Sequence, residues 1–249
     1  MKEHYRHFIF DLYGTLADIR TDETLPEVRQ AVSEFLVERG IRCTPDEFQD
    51  AYPQMCDALQ REKDAELRSA GTAGPAEIDI LKVWDALAAE KGGRLTPDDK
   101  QELSALFRRK STCRLRLFPG AEKVLQALGN AGKTVCLLTN AQESFTMPEL
   151  RELGILPYFR RIFTSSREGV KKPSPAFFAL PAAAGLSPED TLMIGNDDIC
   201  DCRGAAAAGM DSLYIHTEQS PERVRPLPEN CMEIRTLTEI LNFTEHCSR

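Results

Sequence analysis

Five short apolar runs, each the length of a buried strand, constrain the fold of this chain more than any other feature. They occupy residues 7–10, 134–138, 162–164, 191–194 and 212–215. The first run ends at Asp11, and the second ends at Thr139 and Asn140. Helical patterns lie between the later runs, and strands that alternate with helices form a parallel sheet with right-handed crossovers. The sequence therefore predicts an α/β protein whose core is a doubly wound parallel sheet of the Rossmann type.

The middle of the chain has a different pattern. Between about residues 18 and 117, helical periodicity dominates and no apolar run indicates a buried strand. The predicted helices are 25–39, 46–68, 76–91 and 97–110, with glycine-rich breaks at 71–75 and 92–93. We therefore predict an all-helical cap domain at 18–117, inserted into an α/β core domain made of residues 1–17 and 118–249.

Charge and composition limit the partners of the chain. A net charge of −8 over 249 residues disfavours nucleic acid and anionic membranes, since both are bound through basic surfaces. No apolar run is long enough to span a bilayer, and the first apolar stretch is too short for a secretory signal. The eight cysteines lack the C-x-x-C spacing of a zinc site. We expect a cytoplasmic protein with reduced thiols.

The polar residues at the ends of the predicted strands are the candidates for catalysis. In open α/β sheets, ligands bind at the carboxyl ends of the strands, so Asp11 is expected to project into a crevice. A carboxylate there can act as a nucleophile, because a covalent intermediate divides one difficult displacement into two steps. The Thr139 hydroxyl, with nearby backbone N–H groups, can donate hydrogen bonds to an anionic group of a substrate.

Four short segments, in this order, resemble the motifs of the haloacid dehalogenase-like superfamily. They are Phe10 to Leu16 (FDLYGTL), Leu138 to Asn140 (LTN), Lys172 to Pro175 (KPSP) and Gly195 to Asp201 (GNDDICD). The resemblance spans about residues 7–216, and the linking segments 118–120 and 204–210 are similar to the phosphoglycolate phosphatase-like branch. The helical insert matches the mobile cap that this branch places between its first and second motifs.

The resemblance assigns a role to each motif. It implies that Asp11 is the nucleophile and that Lys172 neutralises the charge that develops on the transferred group. Lys172 is preferred to Lys171 because the family's lysine directly precedes a proline, as Lys172 precedes Pro173. Thr139 is expected to act with them. Three further motif residues, Gly14, Thr15 and Asn140, are predicted to bind the substrate.

The fourth motif implies a Mg²⁺ site. Its predicted ligands are Asp11, the backbone carbonyl of Tyr13, Asn196, Asp197 and Asp201. Oxygen ligands with retained waters suit this cation. The residue after Gly195 is Asn196, where the family's phosphatases have Asp, so either Asn196 or Asp197 is expected to serve as the principal ligand. The alternative is that the acidic residues only cap the following helix.

Tyr13 is the second departure from the phosphatase pattern. Phosphatases of this family carry a general acid/base Asp at that position, whereas 2-haloacid dehalogenases have Tyr. A positioned acid contributes about 10²–10⁴-fold to the rate, and a phenol with a pKa near 10 replaces it poorly. A halide leaves without a proton, so a tyrosine there is compatible with dehalogenation.

Three functions therefore stay open at the level of sequence. The favoured one is a Mg²⁺-dependent phosphatase for a small phosphorylated metabolite, including acyl or aryl phosphates with good leaving groups. The second is a metal-independent 2-haloacid dehalogenase, in which a cap arginine holds the substrate carboxylate. The third is a catalytically weakened protein that binds an anion without turnover. In each case the partner is a small anionic molecule, and the chain is expected to be a monomer or a homodimer.

Overall fold

The structure is a computed structural model that describes residues 4–223 and 225–244. Its strands, in chain order, are β1 His7–Phe10, β2 Ala17–Thr21, β3 Thr112–Leu117, β4 Thr134–Thr139, β5 Arg161–Thr164, β6 Thr191–Gly195, β7 Asp211–Ile215 and β8 Cys231–Ile234. Six of them form one parallel sheet in the order β5-β4-β1-β6-β7-β8. This arrangement confirms the predicted doubly wound parallel sheet.

Helices occupy most of the remaining chain. They are α1 Pro26–Glu38, α2 Pro45–Ser69, α3 Ile80–Glu90, α4 Pro97–Ser111, α5 Ala121–Asn130, α6 Glu143–Glu152, α7 Ser165–Glu168, α8 Pro175–Ala183 and α9 Gly204–Ala207. A π-helical turn, Asp198–Arg203, precedes α9, and 3-10 helices occur at Leu156–Tyr158, Pro188–Asp190 and Leu237–Phe243. Among the described residues, none of these helices combines the length and the apolar character needed to cross a bilayer.

The central strand β1 is covered on both faces. Successive side chains of a strand point to opposite faces, so Phe8 and Phe10 enter one hydrophobic cluster and Ile9 enters another. The first cluster includes Leu125 of α5, and the second includes Phe177 of α8. Burial on both faces explains why the strands read as continuous apolar runs without alternation.

Helices α1–α4, which we call the helical cluster, have a separate hydrophobic core. Its largest side chain is Trp84, which is stacked on Tyr52 with 5.6 Å between ring centroids and packs edge-on against Phe107 at 5.3 Å. Phe145 of α6 belongs to the same core, although α6 belongs to the part of the chain that carries the sheet. Helix α4 begins with a capping box in which Thr96 and Asp99 bond each other's backbone N–H groups.

Two strands join the helical cluster to the rest of the molecule, and the sequence did not indicate them. Strands β2 and β3 form an antiparallel ribbon, in which Ala17 is paired with Leu117 and Thr21 with Thr112. Their exposed and half-buried side chains do not produce a continuous apolar run, so the pattern was missed. The edge strand β8, with only Ile234 fully buried, was missed for the same reason.

The predicted helix at 76–91 begins later than expected, at Ile80. Asp79 is its N-cap, with a side chain that accepts a hydrogen bond from the Leu81 N–H. The preceding residues are extended, and Ala76 forms an antiparallel bridge with Val170. We call residues 73–80 the strap, because they lie along the segment 169–174 that carries Lys172. The start was placed wrongly because a tertiary backbone contact takes residues 76–79 out of the helix.

Candidate active site

The ends of adjacent strands bring the predicted motif residues together. Strand β1 lies between β4 and β6, and Asp11 continues the pairing by donating its backbone N–H to the Ile194 carbonyl at 2.9 Å. A cavity of about 200 Å³ opens at this edge of the sheet. Its lining consists of Asp11, Tyr13, Thr139, Asn140, Lys172, Asn196, Asp197, Cys200, Asp201, Gln219 and Pro221. We refer to it as the cleft.

Lys172 lies between two carboxylates at the base of the cleft. Its Nζ is 2.7 Å from Asp11 Oδ1 and 2.7 Å from Asp201 Oδ1, and its side chain is 2% exposed. Burial disfavours the ammonium, but Asp11 and Asp201 outweigh that effect and raise the pKa of Lys172 above its usual range. Lys171 points elsewhere, with its Nζ 4.0 Å from Glu77. Lys172, rather than Lys171, is therefore the lysine beside Asp11.

The two acidic residues of the fourth motif have different surroundings. Asp197 Oδ1 accepts hydrogen bonds from the N–H groups of Ile199 and Cys200, each at 2.8 Å, so its carboxylate caps the π-helical turn. Asp201 faces Lys172 instead, and its Oδ2 accepts the Asp197 N–H at 3.0 Å. Burial raises the pKa of Asp201 to about 6, against the opposing effect of Lys172. Asp201 is paired with Lys172, with 2.7 Å between Oδ1 and Nζ.

Thr139 and Asn140 follow β4 and contribute differently. The Thr139 hydroxyl is buried in the cleft wall, and no described residue forms a hydrogen bond with it. The Asn140 side chain is engaged at both ends: its Nδ2 donates to the Lys172 carbonyl at 3.1 Å, and its Oδ1 accepts the Lys172 N–H at 2.7 Å. The Thr139 hydroxyl is thus available to a ligand, whereas the Asn140 side chain holds the backbone of Lys172.

Two side-chain oxygens with affinity for a hard cation face each other across Thr15. The Thr15 Oγ1 is 3.2 Å from Asp11 Oδ2 and 3.4 Å from Asn196 Oδ1. Gly14 makes the approach of Asn196 possible, because its φ of 84° suits glycine and a Cβ there would overlap the Asn196 amide. Within residues 4–223 and 225–244, no group of three or more His, Cys, Asp or Glu side chains is arranged to hold a metal.

This donor set nevertheless fits Mg²⁺. The cation is commonly held by one or two carboxylates, with waters and substrate phosphate completing its shell. Asp11 supplies a carboxylate oxygen and Asn196 an amide oxygen on the same side of the cleft. Of the two residues that the sequence leaves open, Asp197 uses its Oδ1 as a helix cap, whereas Asn196 Oδ1 lies 3.4 Å from Thr15 Oγ1.

The phenol of Tyr13 is part of a buried polar chain that leads away from Asp11. Its hydroxyl donates a very short hydrogen bond to Glu149 Oε2 and lies 3.3 Å from Thr146 Oγ1. The other oxygen of Glu149 accepts from Arg108 Nε of α4 at 2.6 Å. Burial, assisted by Glu149, raises the pKa of Tyr13 well above its usual value. Tyr13 is therefore a neutral donor engaged with α6.

Sequence reasoning missed several residues at this site. Glu149, which is 4% exposed, lies next to a proline inside α6, and nothing in the local pattern distinguishes it from a surface glutamate. Gln219 enters the cleft from the loop after β7 and donates to Asp18 Oδ1 at 2.6 Å. Arg108 is not among the missed residues: it is one of the predicted cap's arginines that the sequence offers as contacts for an anion, and in the structure it is bonded to Glu149.

The site thus consists of a carboxylate beside a buried lysine at the carboxyl edge of a parallel sheet, an arrangement suited to an enzyme. A family model described as haloacid dehalogenase-like hydrolase matches residues 5–209. The chain belongs to that family. The resemblance carried by its four motifs is thereby confirmed.

Similar proteins include phosphatases and a dehalogenase. The phosphoserine phosphatase of Thermus thermophilus is 30% identical over 161 residues, which cover 64% of this chain and 62% of that protein. The chain thus matches less than two thirds of the Thermus protein. The pyrimidine 5′-nucleotidase PynA of Streptococcus pneumoniae is 26% identical over 226 residues, which cover 87% and 89% of the two chains.

Among solved structures, the 2-haloacid dehalogenase of Pseudomonas syringae pv. Tomato is similar, with a TM-score of 0.63 and 20% identity over 96% of this chain and 97% of that one. At this identity the likeness concerns the fold alone. It supports the α/β core and does not distinguish a phosphatase from a dehalogenase.

Proposed function

We propose that this hydrolase is a Mg²⁺-dependent phosphatase acting on a small phosphorylated metabolite. The observation that carries the proposal is the buried Thr139 hydroxyl, which has no partner among the described residues and lies in the same cleft as Asp11 and Lys172. A buried polar group without a partner is costly, so the cleft is prepared for a ligand with acceptor oxygens. A phosphoryl group has such oxygens, and two relatives are named as a phosphatase and a nucleotidase.

The roles of the residues follow from their contacts. Asp11 attacks phosphorus with a carboxylate oxygen, and Lys172 offsets the charge on Asp11 and on the phosphoryl oxygens. Thr139 donates its hydroxyl to one of those oxygens. Asn140 and Asp201 fix Lys172 through its backbone and its ammonium, respectively. In this proposal the two are positioning residues, and Thr15 orients Asp11 through its second oxygen.

Asp11 Oδ2 and Asn196 Oδ1, together with the backbone carbonyl of Tyr13, would hold the metal. When bound, Mg²⁺ neutralises the charge of the phosphate and orients it for in-line attack. The site brings only one carboxylate to the cation, because Asp201 is paired with Lys172 and Asp197 caps a helix. We therefore expect weak binding of Mg²⁺ in the absence of a phosphate ligand.

The helical cluster, within residues 18–117, is proposed to be the cap that covers the cleft and meets the remote end of the substrate. Closure would exclude water and strengthen the electrostatic contacts inside. A cavity of about 200 Å³ leaves room for a small metabolite. A cytoplasmic location and a monomeric or homodimeric state belong to the same proposal.

Dehalogenation is the alternative, and Tyr13 is the residue that favours it. A dehalogenase of the kind considered above needs an arginine to hold the substrate carboxylate. Among the described residues that line the cleft, none is an arginine, and Arg108 is bonded to Glu149. This composition of the cleft favours phosphoryl transfer.

The decisive experiment measures two products from one panel. Phosphate release is followed with small phosphate esters and acyl phosphates, and halide release with 2-haloacids, each with Mg²⁺ and with a chelator. We expect phosphate release that the chelator abolishes and that Thr139→Ala lowers strongly, with Thr72→Ala as the matched control. Chelator-resistant halide release without phosphate release would overturn the proposal in favour of a dehalogenase.

A further inference from the structure

The polar chain Tyr13–Glu149–Arg108 has a consequence for the leaving group. Tyr13 is two residues from Asp11, and its ring borders the cleft. Its hydroxyl proton, however, is donated to Glu149, and its second neighbour is Thr146. Both neighbours of the hydroxyl are on α6, so the phenol proton is directed into the protein and is not free for a group departing from phosphorus.

Glu149 is well suited to accept the hydrogen bond from the Tyr13 hydroxyl. Its side chain is 6% exposed, and Arg108 donates to its opposite oxygen at 2.6 Å. The Arg108 guanidinium also lies 5.5 Å from the centre of the Tyr13 ring and 5.1 Å from that of Phe145. A buried, charged acceptor attracts a hydroxyl donor more strongly than a neutral one does, which fixes the phenol in this orientation.

Other donors of the cleft are engaged as well. Among the described lining residues, Lys172 is shared between two carboxylates, and the Asn140 side chain bonds the Lys172 backbone. The Thr139 hydroxyl is placed for the phosphoryl oxygens. Asp197 caps the π-helical turn through Oδ1, and Asp201 bonds Lys172, so both of these described carboxyls already have partners.

We propose that Glu149 is a positioning residue that orients the Tyr13 hydroxyl proton away from the cleft. As a result, the enzyme selects phosphate compounds whose leaving group departs without a proton. These are acyl phosphates and aryl phosphates with acidic phenols. The inference rests on the proposed phosphatase function and narrows its substrate class. Arg108 of the helical cluster takes part because its contact with Oε1 holds the Glu149 side chain in place beside Tyr13.

The chemistry balances without an acid. A carboxylate oxygen of Asp11 forms a bond to phosphorus as the bond from phosphorus to the leaving oxygen breaks. The electron pair of that bond stays on the leaving oxygen, which departs as a carboxylate or a phenolate. A water then attacks phosphorus and the bond to Asp11 breaks, which releases inorganic phosphate and one proton to solvent and restores the Asp11 carboxylate.

The first test uses the wild-type protein with Mg²⁺ and a series of substituted phenyl phosphates of similar size, together with acetyl phosphate. We expect kcat/KM to fall about 10²-fold or more from 4-nitrophenyl to unsubstituted phenyl phosphate, because a positioned acid would otherwise supply about 10²–10⁴-fold. A nearly flat series would overturn the inference and leave the phosphatase proposal intact. No phosphate release from any member, acetyl phosphate included, would overturn both.

The second test assigns the effect to Glu149. Glu149→Gln replaces the charged acceptor by a neutral one and frees the phenol, so the ratio between the two aryl substrates should shrink by about tenfold. Adding Tyr13→Phe to this variant should restore the steep dependence, since the freed proton is then absent. Glu152→Gln, an exposed position on the same helix, is the matched control. An unchanged ratio in folded Glu149→Gln would refute the role of Glu149.

Discussion

Two regions of the molecule are built in different ways. One is the edge of the sheet that carries the cleft, which we call the catalytic edge. The other is the seam between the sheet and the helical cluster, where the strap lies along residues 169–174. At the catalytic edge, side chains from separate strand ends meet in charged contacts, such as Lys172 with Asp11 and Asp201. At the seam, backbone hydrogen bonds occur beside side-chain contacts such as that of Arg108 with Glu149. The Glu77 N–H donates to the Gly169 carbonyl and the Lys171 N–H to the Pro75 carbonyl, each at 3.1 Å.

The difference shows which kind of contact a sequence reveals. Charged side chains at strand ends leave recognisable motifs, whereas backbone hydrogen bonds can be made by almost any residue. The two regions are nevertheless continuous, because the strap lies along the segment that carries Lys172. The Ser174 hydroxyl donates to the Ala73 carbonyl at 2.7 Å, only two residues beyond Lys172. The seam therefore supports the catalytic edge.

The largest expected effect isolates chemistry at the catalytic edge. Asp11→Asn should lower kcat by about 10⁴-fold or more, because an amide cannot replace the nucleophile. Its stability to urea should change little, since Lys172 keeps Asp201 as a partner. Asp50→Asn, an exposed position on α2, is the matched control. Substantial phosphate release by the Asp11 variant would contradict the assignment of the nucleophile.

The next largest effect is the loss of the buried charge of Lys172 at the catalytic edge, measured as a change in the free energy of unfolding. Lys172→Met should destabilise the fold by about 3–5 kcal/mol at pH 8, because two buried carboxylates lose their cation. Lys171→Met, at a side chain that is 33% exposed, should have a much smaller effect. Urea unfolding of both variants measures the contrast.

The loss in Lys172→Met should depend on pH in a definite direction. Burial already raises the folded-state pKa of Asp201 to about 6, above the value of an unfolded chain. A group with a raised folded pKa binds more protons when folded, so its stability contribution is complete at low pH and is lost as the pH rises through the folded pKa. Without Lys172 that pKa rises further. The deficit should therefore shrink between pH 8 and pH 5, and a deficit that grew toward pH 5 would contradict the ion pair.

The seam can be weakened without touching a charge. Gly74 has a φ of 116°, and a Cβ there would overlap Ser174, so Gly74→Ala should cost about 3 kcal/mol. Gly71→Ala is the matched control, because Gly71 also has a positive φ, of 67°, but a Cβ there meets nothing within 4 Å. The control should cost only about 1 kcal/mol. Equal losses would show that the strap contact contributes little.

The smallest effect lies within the helical cluster. Thr96→Ala removes the N-cap of α4 and should cost about 1 kcal/mol in the free energy of unfolding. The reaction rate at 25 °C should be unchanged, because Thr96 contacts neither the cleft nor the strap. Thr72→Ala serves as the control substitution. A change in kcat with Thr96→Ala would show that the helical cluster is coupled to the catalytic edge more tightly than the seam suggests.

Much of the catalytic edge could be predicted from the sequence. Asp11, Thr139 and Lys172 were each tied to a short motif, and the parallel sheet brings such strand ends to one side. The two residues that stayed open, Asn196 and Asp197, could not be separated without the fold. Whether an acidic side chain caps a helix or faces a ligand depends on the direction of the turn that carries it.

The seam could not be predicted, and the reasons are physical. The pattern of the strap does not differ from that of a helical turn, so the sequence predicts the start of a helix there. Strand β3 alternates the half-buried Leu115 and Leu117 with Arg114 and Arg116, so it lacks the continuous apolar run of the buried strands. Glu149 is indistinguishable from a surface glutamate until α4 and α6 are seen to pack together.

Phe145 limits how far the molecule can be divided. Its ring is 6% exposed and stacks on Phe107 with centroids 6.2 Å apart, so a residue of α6 fills a space inside the helical cluster. If the helical cluster were separated from the sheet at strands β2 and β3, its core would therefore contain a cavity at the place of the Phe145 ring. Replacing α1–α4 by the corresponding helices of another hydrolase would leave the Phe145 ring without a complementary space to fill. Recombination between relatives should consequently exchange α6 together with α1–α4.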